Sequence, residues 1–328
     1  MRRRDFIKAI AGAATLSPCA APAQQSAPVA RIGFLSASPQ NPAVVRSYPV
    51  FLAELHRLGF TAGQNAVIEY RRNDEGESKA FAAAADLIDA KVDVIVAVGP
   101  ELALKAARTA SRTTPIVVVA VNYDPTADGY VSNMARPEGN ITGLFYRAPE
   151  LAVKQVELLV EAIPDDKSLA VLWEPASAEQ FEFARRAMQS LNVEWFSHKL
   201  ENPPFNFDEA FEAIARDGTR RLLVLSGPTF ADQSAKIAGL ALRYRLPTMF
   251  TFPYYVEDGG LMSYGIDPAP MLKRAATYVA RILRGAQPAD LPVERPANFK
   301  LTLNLKTART IGVTFPTSIL VRADEAIE

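Results

Sequence analysis

Cysteine and histidine are scarce in this sequence, and neither sign of charge is in excess. The 328 residues include one cysteine, Cys19, and two histidines, His56 and His198, with 36 basic and 36 acidic side chains. One cysteine excludes a disulfide framework and a cysteine-rich metal site. A net charge of zero without a basic block argues against a nucleic-acid-binding protein, which needs a cationic face for phosphates. We therefore expect no metal, no cofactor and no nucleic-acid partner.

Common catalytic and nucleotide-binding motifs are also missing. Gly-x-Ser-x-Gly, which presents a nucleophilic serine on a strand-to-helix turn, does not occur. Gly-x-Gly-x-x-Gly is absent from the first turn, where a dinucleotide enzyme needs it for the pyrophosphate. His56 lies in a helical pattern and His198 at a strand end, so both are interpreted as structural. The sequence therefore predicts a protein that is not an enzyme.

The first 23 residues have the pattern of an export signal. A twin arginine, Arg3 and Arg4, precedes a mildly apolar stretch at 9–16 and Ala-Pro-Ala at 21–23. This pattern predicts twin-arginine export to the periplasm, and the apolar run is shorter than the roughly 18 residues of a membrane anchor. Pro18 before Cys19 disfavours lipidation. Cleavage after residue 23 would leave 32 basic and 35 acidic residues, a net charge of −3 and no cysteine, which suits an oxidising compartment.

Two α/β units follow the signal. Short Val- and Ile-rich runs at 31–35, 66–70, 92–98 and 116–121 alternate with amphipathic helical patterns. The alternation restarts after residue 150, with strands expected at 169–173, 193–197, 221–225 and 248–252. Apolar strands alternating with helices predict parallel sheets that are buried on both faces. Two such units would form a cleft at the carboxyl ends of their strands.

The last 70 residues add elements beyond the two units. We expect a strand at 260–265, a helix at 268–283 and an extended segment at 293–305. An extra strand and helix would cap one unit and the final segment would return to the other. This arrangement predicts a hinge of several crossings instead of a single linker.

Several motifs resemble those of one protein family. They are DPTADGYV at 124–131 with ARPEGNITG at 135–143, LGF at 58–60 with GQN at 63–65, GGLMSYG at 259–265, NLKTA at 304–308 and RADEAIE at 322–328. Together they make the chain similar to ABC transporter substrate-binding proteins of the tryptophan/tyrosine type, from the signal to the last residue.

The resemblance implies the type I periplasmic-binding-protein fold, with two Rossmann-like domains joined by three crossovers. The N-terminal lobe would comprise residues 29–143 and 264–287, and the C-terminal lobe 144–263 and 288–328. Family members deliver small molecules, often aromatic amino acids or related compounds, to an ABC permease in the inner membrane. We expect such a receptor to act as a monomer.

Candidate ligand contacts in the first unit follow its strands. Ser36 and Ser38 follow the first strand and either donate to a ligand anion or cap the next helix. Gly99 and Pro100 form either a backbone contact or a tight turn; relatives usually have Gly-Thr-Pro here, so this departure weakens a carboxylate-binding role. The other candidates in this unit are Asn122, Asp124, which matches the family's Asp-Pro step but also suits an Asx turn, and Tyr146 beside Phe145 at the expected first crossing.

Candidates in the second unit include departures from the family. Trp173 and Glu174 stand where relatives usually have Asn-Pro; the indole either stacks on an aromatic ligand or packs in the core, and the carboxylate either pairs with an ammonium group or is solvated. The matching turn after the next strand offers Ser226 and Thr229. The remaining candidates resemble the family's aromatic wall or lie on the returning strand: Tyr254, Tyr255 and Tyr264.

The aromatic candidates favour an aromatic acid or an amino-acid-like ligand, held between lobes that close about a hinge. Three alternatives stay open. One is an exported enzyme on the same scaffold, since fold does not fix function. Another is a sensing partner of a membrane receptor. The third is a DNA-binding repressor, which would need a basic helix-turn-helix before residue 30, where the export signal lies.

Overall fold

The first sheet is wholly parallel and has the order β2-β1-β3-β4-β5. The computed structural model describes residues 29–74, 76–147, 149–296 and 298–328, so the predicted export signal and Cys19 lie outside the described residues. The elements of this first part are β1 Ala30–Ser36, α1 Pro42–Arg57, β2 Ala66–Arg72, α2 Glu77–Asp89, β3 Val94–Gly99, α3 Glu101–Ala110, β4 Ile116–Val121 and β5 Ile141–Tyr146.

The second sheet has the order β12-β11-β10-β9-β8-β6-β7 and is parallel except for the β10–β11 pair. Its elements continue along the chain: α4 Pro149–Ala162, β6 Ser168–Trp173, α5 Ala178–Ser190, β7 Glu194–Lys199, α6 Phe207–Arg216, β8 Leu222–Val224, α7 Pro228–Asp232, α8 Ser234–Arg243, β9 Thr248–Phe250, α9 Pro253–Glu257, β10 Met262–Gly265, α10 Pro268–Leu283, β11 Lys300–Asn304, α11 Leu305–Ile311, α12 Thr317–Arg322 and β12 Glu325–Ile327.

The predicted fold class, two Rossmann-like parallel-sheet domains with a multi-strand hinge, is confirmed. Each of the eight strands expected in the two units has a counterpart in β1–β4 or β6–β9, and the helix expected at 268–283 has those bounds as α10. Asp267 begins α10 because its side chain accepts from the N–H of Ala269 at 2.9 Å and Pro268 follows at the first helical position. The alternation of apolar runs therefore predicted four strands of each sheet, β1–β4 and β6–β9.

Two strands, β5 and β12, were missed. Phe145 and Tyr146 were expected only to mark the place where the chain first crosses, whereas residues 141–146 form β5 and pair with β4 along its whole length. Gly143 interrupts the run of β-branched and aromatic residues, and a glycine inside a short run weakens the strand pattern.

The chain passes between the sheets three times. It leaves β5 for α4, leaves β10 for α10, and returns from α10 to β11. Helix α10 packs on α1 and on strands β3, β4 and β5 of the first sheet. The third passage is tied to the first because Glu294 N donates to Gly143 O at 2.9 Å and Phe145 N donates to Glu294 O at 3.0 Å. We call the β1–β5 sheet with α1–α3 and α10 the first lobe, and the β6–β12 sheet with its other helices the second lobe.

One apolar cluster spans both lobes. It includes Phe34 of β1 and Tyr146 of β5 together with Phe252 and Tyr254, which follow β9. The carboxyl ends of the parallel strands therefore meet across this cluster. Within the described residues, no helix has the length and apolarity needed to cross a membrane.

Candidate functional site

Asn122 and Ser226 join the two sheets at their carboxyl ends. Asn122 directly follows β4, and Ser226 lies two residues after β8; the Asn122 Nδ2 atom donates to Ser226 Oγ at 3.1 Å. Asn122 has a positive φ of 66°, a conformation that asparagine tolerates better than most residues. The structure thus brings together two predicted residues that are 104 positions apart.

Gln180 holds the Ser226 turn in place. Its Oε1 accepts from both the backbone N–H and the hydroxyl of Ser226 at 3.1 Å, and its Nε2 donates to Ser226 O at 2.9 Å. Gln180 is 2% exposed and lies on the buried face of α5. Sequence reasoning missed it, although a glutamine one turn before buried Ala184 was a usable signal, because buried amides need partners.

Glu174 directly follows β6, and its buried carboxylate lies at the start of α7. Only 4% of it is exposed, and its Oε1 accepts from Thr229 N at 3.2 Å. The carboxylate of Glu174 fits here because residue 227 is glycine. A Cβ at position 227 would lie 1.8 Å from Glu174 Oε1. Burial raises the pKa of Glu174, hydrogen bonds from Thr229 and Phe230 oppose the rise, and Asp232 adds to it. Predicted Glu174 and Thr229 are therefore in direct contact.

A second contact between the lobes involves Asn41 and Asp232, neither of which was predicted. The Asn41 side chain caps α1 by accepting from Ala43 N at 3.0 Å and from Val44 N at 3.4 Å. Its Nδ2 also donates to Asp232 Oδ1 in α7. Desolvation raises the pKa of Asp232, the hydrogen bond from Asn41 opposes the rise, and the charge of Asp74 adds to it. Asn41 before Pro42 indicates a helix cap in the sequence, but nothing local reveals the contact across the lobes.

Arg46 forms a third link. Its Nε lies 2.6 Å from Glu257 Oε2 and its Nη2 lies 3.0 Å from Asp258 Oδ1. The guanidinium carbon is also 5.6 Å from the centre of the Tyr254 ring, within the range of a cation–π contact. An open groove of about 460 Å³ runs beside this ion pair. Arg46 therefore connects α1 of the first lobe with the end of α9 in the second.

An aromatic group lines the same junction. Tyr146 meets Phe252 edge-on at 6.1 Å between ring centres, and Phe252 stacks on Tyr254 at 5.2 Å. Tyr255 stacks on Tyr254 at 4.9 Å and on Phe250 at 4.6 Å. Burial is the main cause that raises the pKa of Tyr146, Tyr254 and Tyr255. Three predicted tyrosines thus belong to one buried stack.

Two hydroxyls of this stack are buried without a protein partner. Tyr146 and Tyr254 are each 2% exposed, and their hydroxyl groups have no hydrogen-bond partner in the described part of the chain. Buried polar groups of native proteins are nearly always paired, so each unpaired hydroxyl needs an explanation.

Several predicted residues of the first lobe form hydrogen bonds within that lobe or lie beside its turns. Ser38 N donates to Asp74 Oδ2 at 2.8 Å, and the Asp124 carboxylate accepts from Thr126 N at 2.8 Å and Ala127 N at 3.2 Å. This is the Asx-turn alternative for Asp124. Three further predicted residues lie at strand ends beside these turns: Ser36, which is buried as the last residue of β1, Gly99 with φ of 119°, and Pro100, which precedes α3.

Trp173 and Tyr264 make other contacts. The Trp173 ring stacks on Phe181 at 4.5 Å, and its Nε1 donates to Ser197 Oγ at 2.8 Å. Tyr264 lies beside Phe299 with ring centres 6.2 Å apart. None of these contacts involves the residues that join the two lobes. Among the described residues, no group of three or more histidine, cysteine or acidic side chains is arranged to hold a metal ion.

Replacement of Glu174 by glutamine is expected to raise the melting temperature of the free protein at pH 7. The folded-state pKa of Glu174 is raised, so its ionised form costs stability above that pKa, and the cost disappears as the pH falls towards the unfolded-state pKa. Glutamine still accepts from Thr229 N without a charge. Thermal unfolding followed by circular dichroism between pH 4 and 8 measures the difference, which should shrink on acidification.

The matched control is Glu182→Gln on α5. Glu182 is on the surface, and the hydrogen bond with Arg185 lowers its pKa, so its replacement should give no gain at pH 7. An equal gain in both variants would contradict a cost specific to the buried carboxylate.

The sequence model of the family described as ABC transporter substrate binding protein matches residues 38–327. No curated protein sequence matches this chain.

Three solved structures with the same architecture align with this chain over almost their whole length. A conserved domain protein from Vibrio cholerae has 25% identity and a TM-score of 0.79, over 91% of this chain and 99% of that one. An ABC domain in complex with L-Trp from Streptococcus pneumoniae has 23% identity and a TM-score of 0.75, over the same shares. A ligand-free, open substrate-binding protein from Clostridium difficile has 20% identity and a TM-score of 0.66, again over 91% and 99%.

Proposed function

This chain belongs to the ABC transporter substrate-binding protein family, and we propose that it is the periplasmic solute receptor of an ABC importer. It binds a small molecule between its lobes and presents it to an inner-membrane permease. The observation that carries the proposal is the Asn122–Ser226 hydrogen bond, which joins the carboxyl ends of both parallel sheets. Ligands of α/β proteins bind at these ends of the strands. The twin arginine near the N-terminus supports export by the twin-arginine pathway.

Closure about the hinge is the proposed mechanism. Three passages of the chain between the sheets support a hinge motion in which the lobes rotate as units. A solute that touches both lobes favours the closed form, because only that form offers both sets of contacts. The permease then distinguishes loaded from empty receptor by shape.

The proposed ligand is a small aromatic compound, either an aromatic acid or an amino-acid-like molecule. The stack of Tyr146, Tyr254 and Tyr255 supports an aromatic body. The Streptococcus pneumoniae relative is described in complex with L-Trp, which is consistent with this class. We propose ligand contacts at Asn122, Ser226 and the buried tyrosines.

An aromatic amino acid is expected to bind saturably and to make the protein more compact. Calorimetric titration measures binding, and small-angle X-ray scattering of the same samples measures the radius of gyration, which should fall. A sugar of similar size is the control ligand and should do neither. Tight binding without a change in shape would overturn the closure mechanism, and stabilisation by sugars alone would overturn the aromatic assignment.

A further inference from the structure

The hydrogen bonds around Ser226 determine where its hydroxyl proton lies. The backbone N–H of Ser226 can only donate and its carbonyl can only accept, so the Gln180 amide must turn Oε1 to the N–H, at 3.1 Å, and Nε2 to the carbonyl, at 2.9 Å. The same Oε1 lies 3.1 Å from Ser226 Oγ. Because an amide oxygen has no proton to donate, the Ser226 hydroxyl gives its single proton to Gln180.

A hydroxyl whose proton is already used can only accept further hydrogen bonds. In the first lobe, Asn122 Nδ2 lies 3.1 Å from Ser226 Oγ and supplies a donor. The hydrogen bond between the lobes therefore runs from Asn122 to Ser226. Its direction is set by Gln180, a residue of α5 in the second lobe.

Both ends of this hydrogen bond are held by groups of their own lobe. In the second lobe, the turn that begins with Ser226 is also fixed at Thr229, whose N–H donates to Glu174 Oε1 at 3.2 Å. In the first lobe, Asn122 N donates to Tyr146 O at 3.0 Å. Groups that are ordered before two surfaces meet lose less conformational entropy when the contact forms. The contact between the lobes thus depends on groups that each lobe orders for itself.

We propose that Gln180 is a positioning residue for closure of the lobes. By taking the Ser226 proton it keeps Ser226 an acceptor for Asn122, and so stabilises the closed form. Gln180 is buried, and its side-chain hydrogen bonds within the described chain all go to Ser226. This inference rests on the proposed function and adds to it a residue that changes affinity through the contact between the lobes.

Gln180→Met tests the proposal because methionine keeps the length of the side chain and removes its hydrogen bonds. Small-angle X-ray scattering without added ligand should give a larger radius of gyration than the parent. Calorimetric titration with L-tryptophan should give an affinity about fivefold weaker, the effect typical of one lost hydrogen bond. Gln189→Met, on the exposed face of the same helix, is the matched control and should keep both parental values. Parental values in Gln180→Met would overturn the proposal.

An Asn122→Gly background separates positioning from support of the fold. Glycine adopts the φ of 66° at this position and removes the donor amide. If Gln180 acts through the contact between the lobes, Gln180→Met should then change neither the radius nor the affinity further, even where it lowers the melting temperature. The same fivefold loss in both backgrounds would show that Gln180 only supports the fold, which contradicts the proposal.

Gln180→Glu provides the test if Gln180→Met does not fold. Glutamate keeps an acceptor for the Ser226 hydroxyl and N–H and loses only the donor to Ser226 O, so the radius should stay close to the parental value. A radius as large as that of Asn122→Gly would overturn the role of the acceptor atom. The scattering comparisons need no ligand. Failure of L-tryptophan to bind the parent would therefore contradict the proposed ligand class, while the radii still decide the role of Gln180.

Discussion

Replacement of Gly143 by alanine is expected to destabilise the protein by roughly 4 kcal/mol or more, in the range reached only by severe backbone or core disruption. Gly143 lies in β5 with φ of 141° and pairs with Val118 of β4. A Cβ at this position would lie 2.0 Å from Val118 O and 2.6 Å from Val118 N. A Cβ has no rotamer by which to avoid a backbone atom, so β5 would have to separate from β4. Urea unfolding monitored by circular dichroism measures the loss.

Two other glycines provide matched controls for the same substitution. Gly129 has a positive φ of 73°, but no atom lies within 4 Å of the place a Cβ would take, so Gly129→Ala should cost only about 1 kcal/mol of backbone strain. Gly239 lies inside α8 with open space around it, and Gly239→Ala should stabilise the protein by roughly 0.5–1 kcal/mol. A Gly143→Ala variant as stable as Gly129→Ala would show that β5 shifts freely, which contradicts its tight pairing.

The fold was predictable from the sequence where one local pattern dominated. The strand β4 is continuous Ile, Val and Ala, and α10 has a cap, a first-turn proline and an apolar stripe, so both were predictable. The strand β5 was missed because the feature that makes it fit closely, Gly143, also breaks the β pattern. The strand β12 was not predicted because it is only three residues long and mostly exposed. It pairs with β11 of the second sheet.

The site was predictable where it depends on strand ends and less so where it depends on helices. Asn122 and Ser226 were predicted because each follows a strand at the edge where parallel sheets bind ligands. Asn41, Arg46 and Gln180 were missed because they lie on helices or at their caps, and their partners belong to distant segments. Their contacts follow from how the lobes face each other, which no local periodicity encodes. Asp124 was predicted as a ligand contact from its motif, whereas in the structure its carboxylate accepts the Thr126 N–H within an Asx turn.

Replacement of Arg46 by alanine is expected to open the free protein and to weaken ligand binding about five- to tenfold. The side chain links the lobes through Glu257 at 2.6 Å and Asp258 at 3.0 Å. These groups are partly exposed, so the link is worth on the order of 1 kcal/mol, and a smaller closed fraction lowers the apparent affinity in proportion. Scattering should give a larger radius of gyration without ligand, and calorimetry should give the weaker affinity. Added salt should weaken parent binding towards the variant's.

Arg57→Ala is the matched control because Arg57 is on the same helix and forms an ion pair of the same 2.6 Å length, with Glu54 of that helix. Its loss affects α1 locally but removes nothing between the lobes, so shape and affinity should stay at parental values. Equal behaviour of the two variants would mean that Arg46 contributes no more than a surface ion pair. A difference confined to Arg46 would place control of the open–closed equilibrium at the link between α1 and the end of α9, beside the Tyr254 ring.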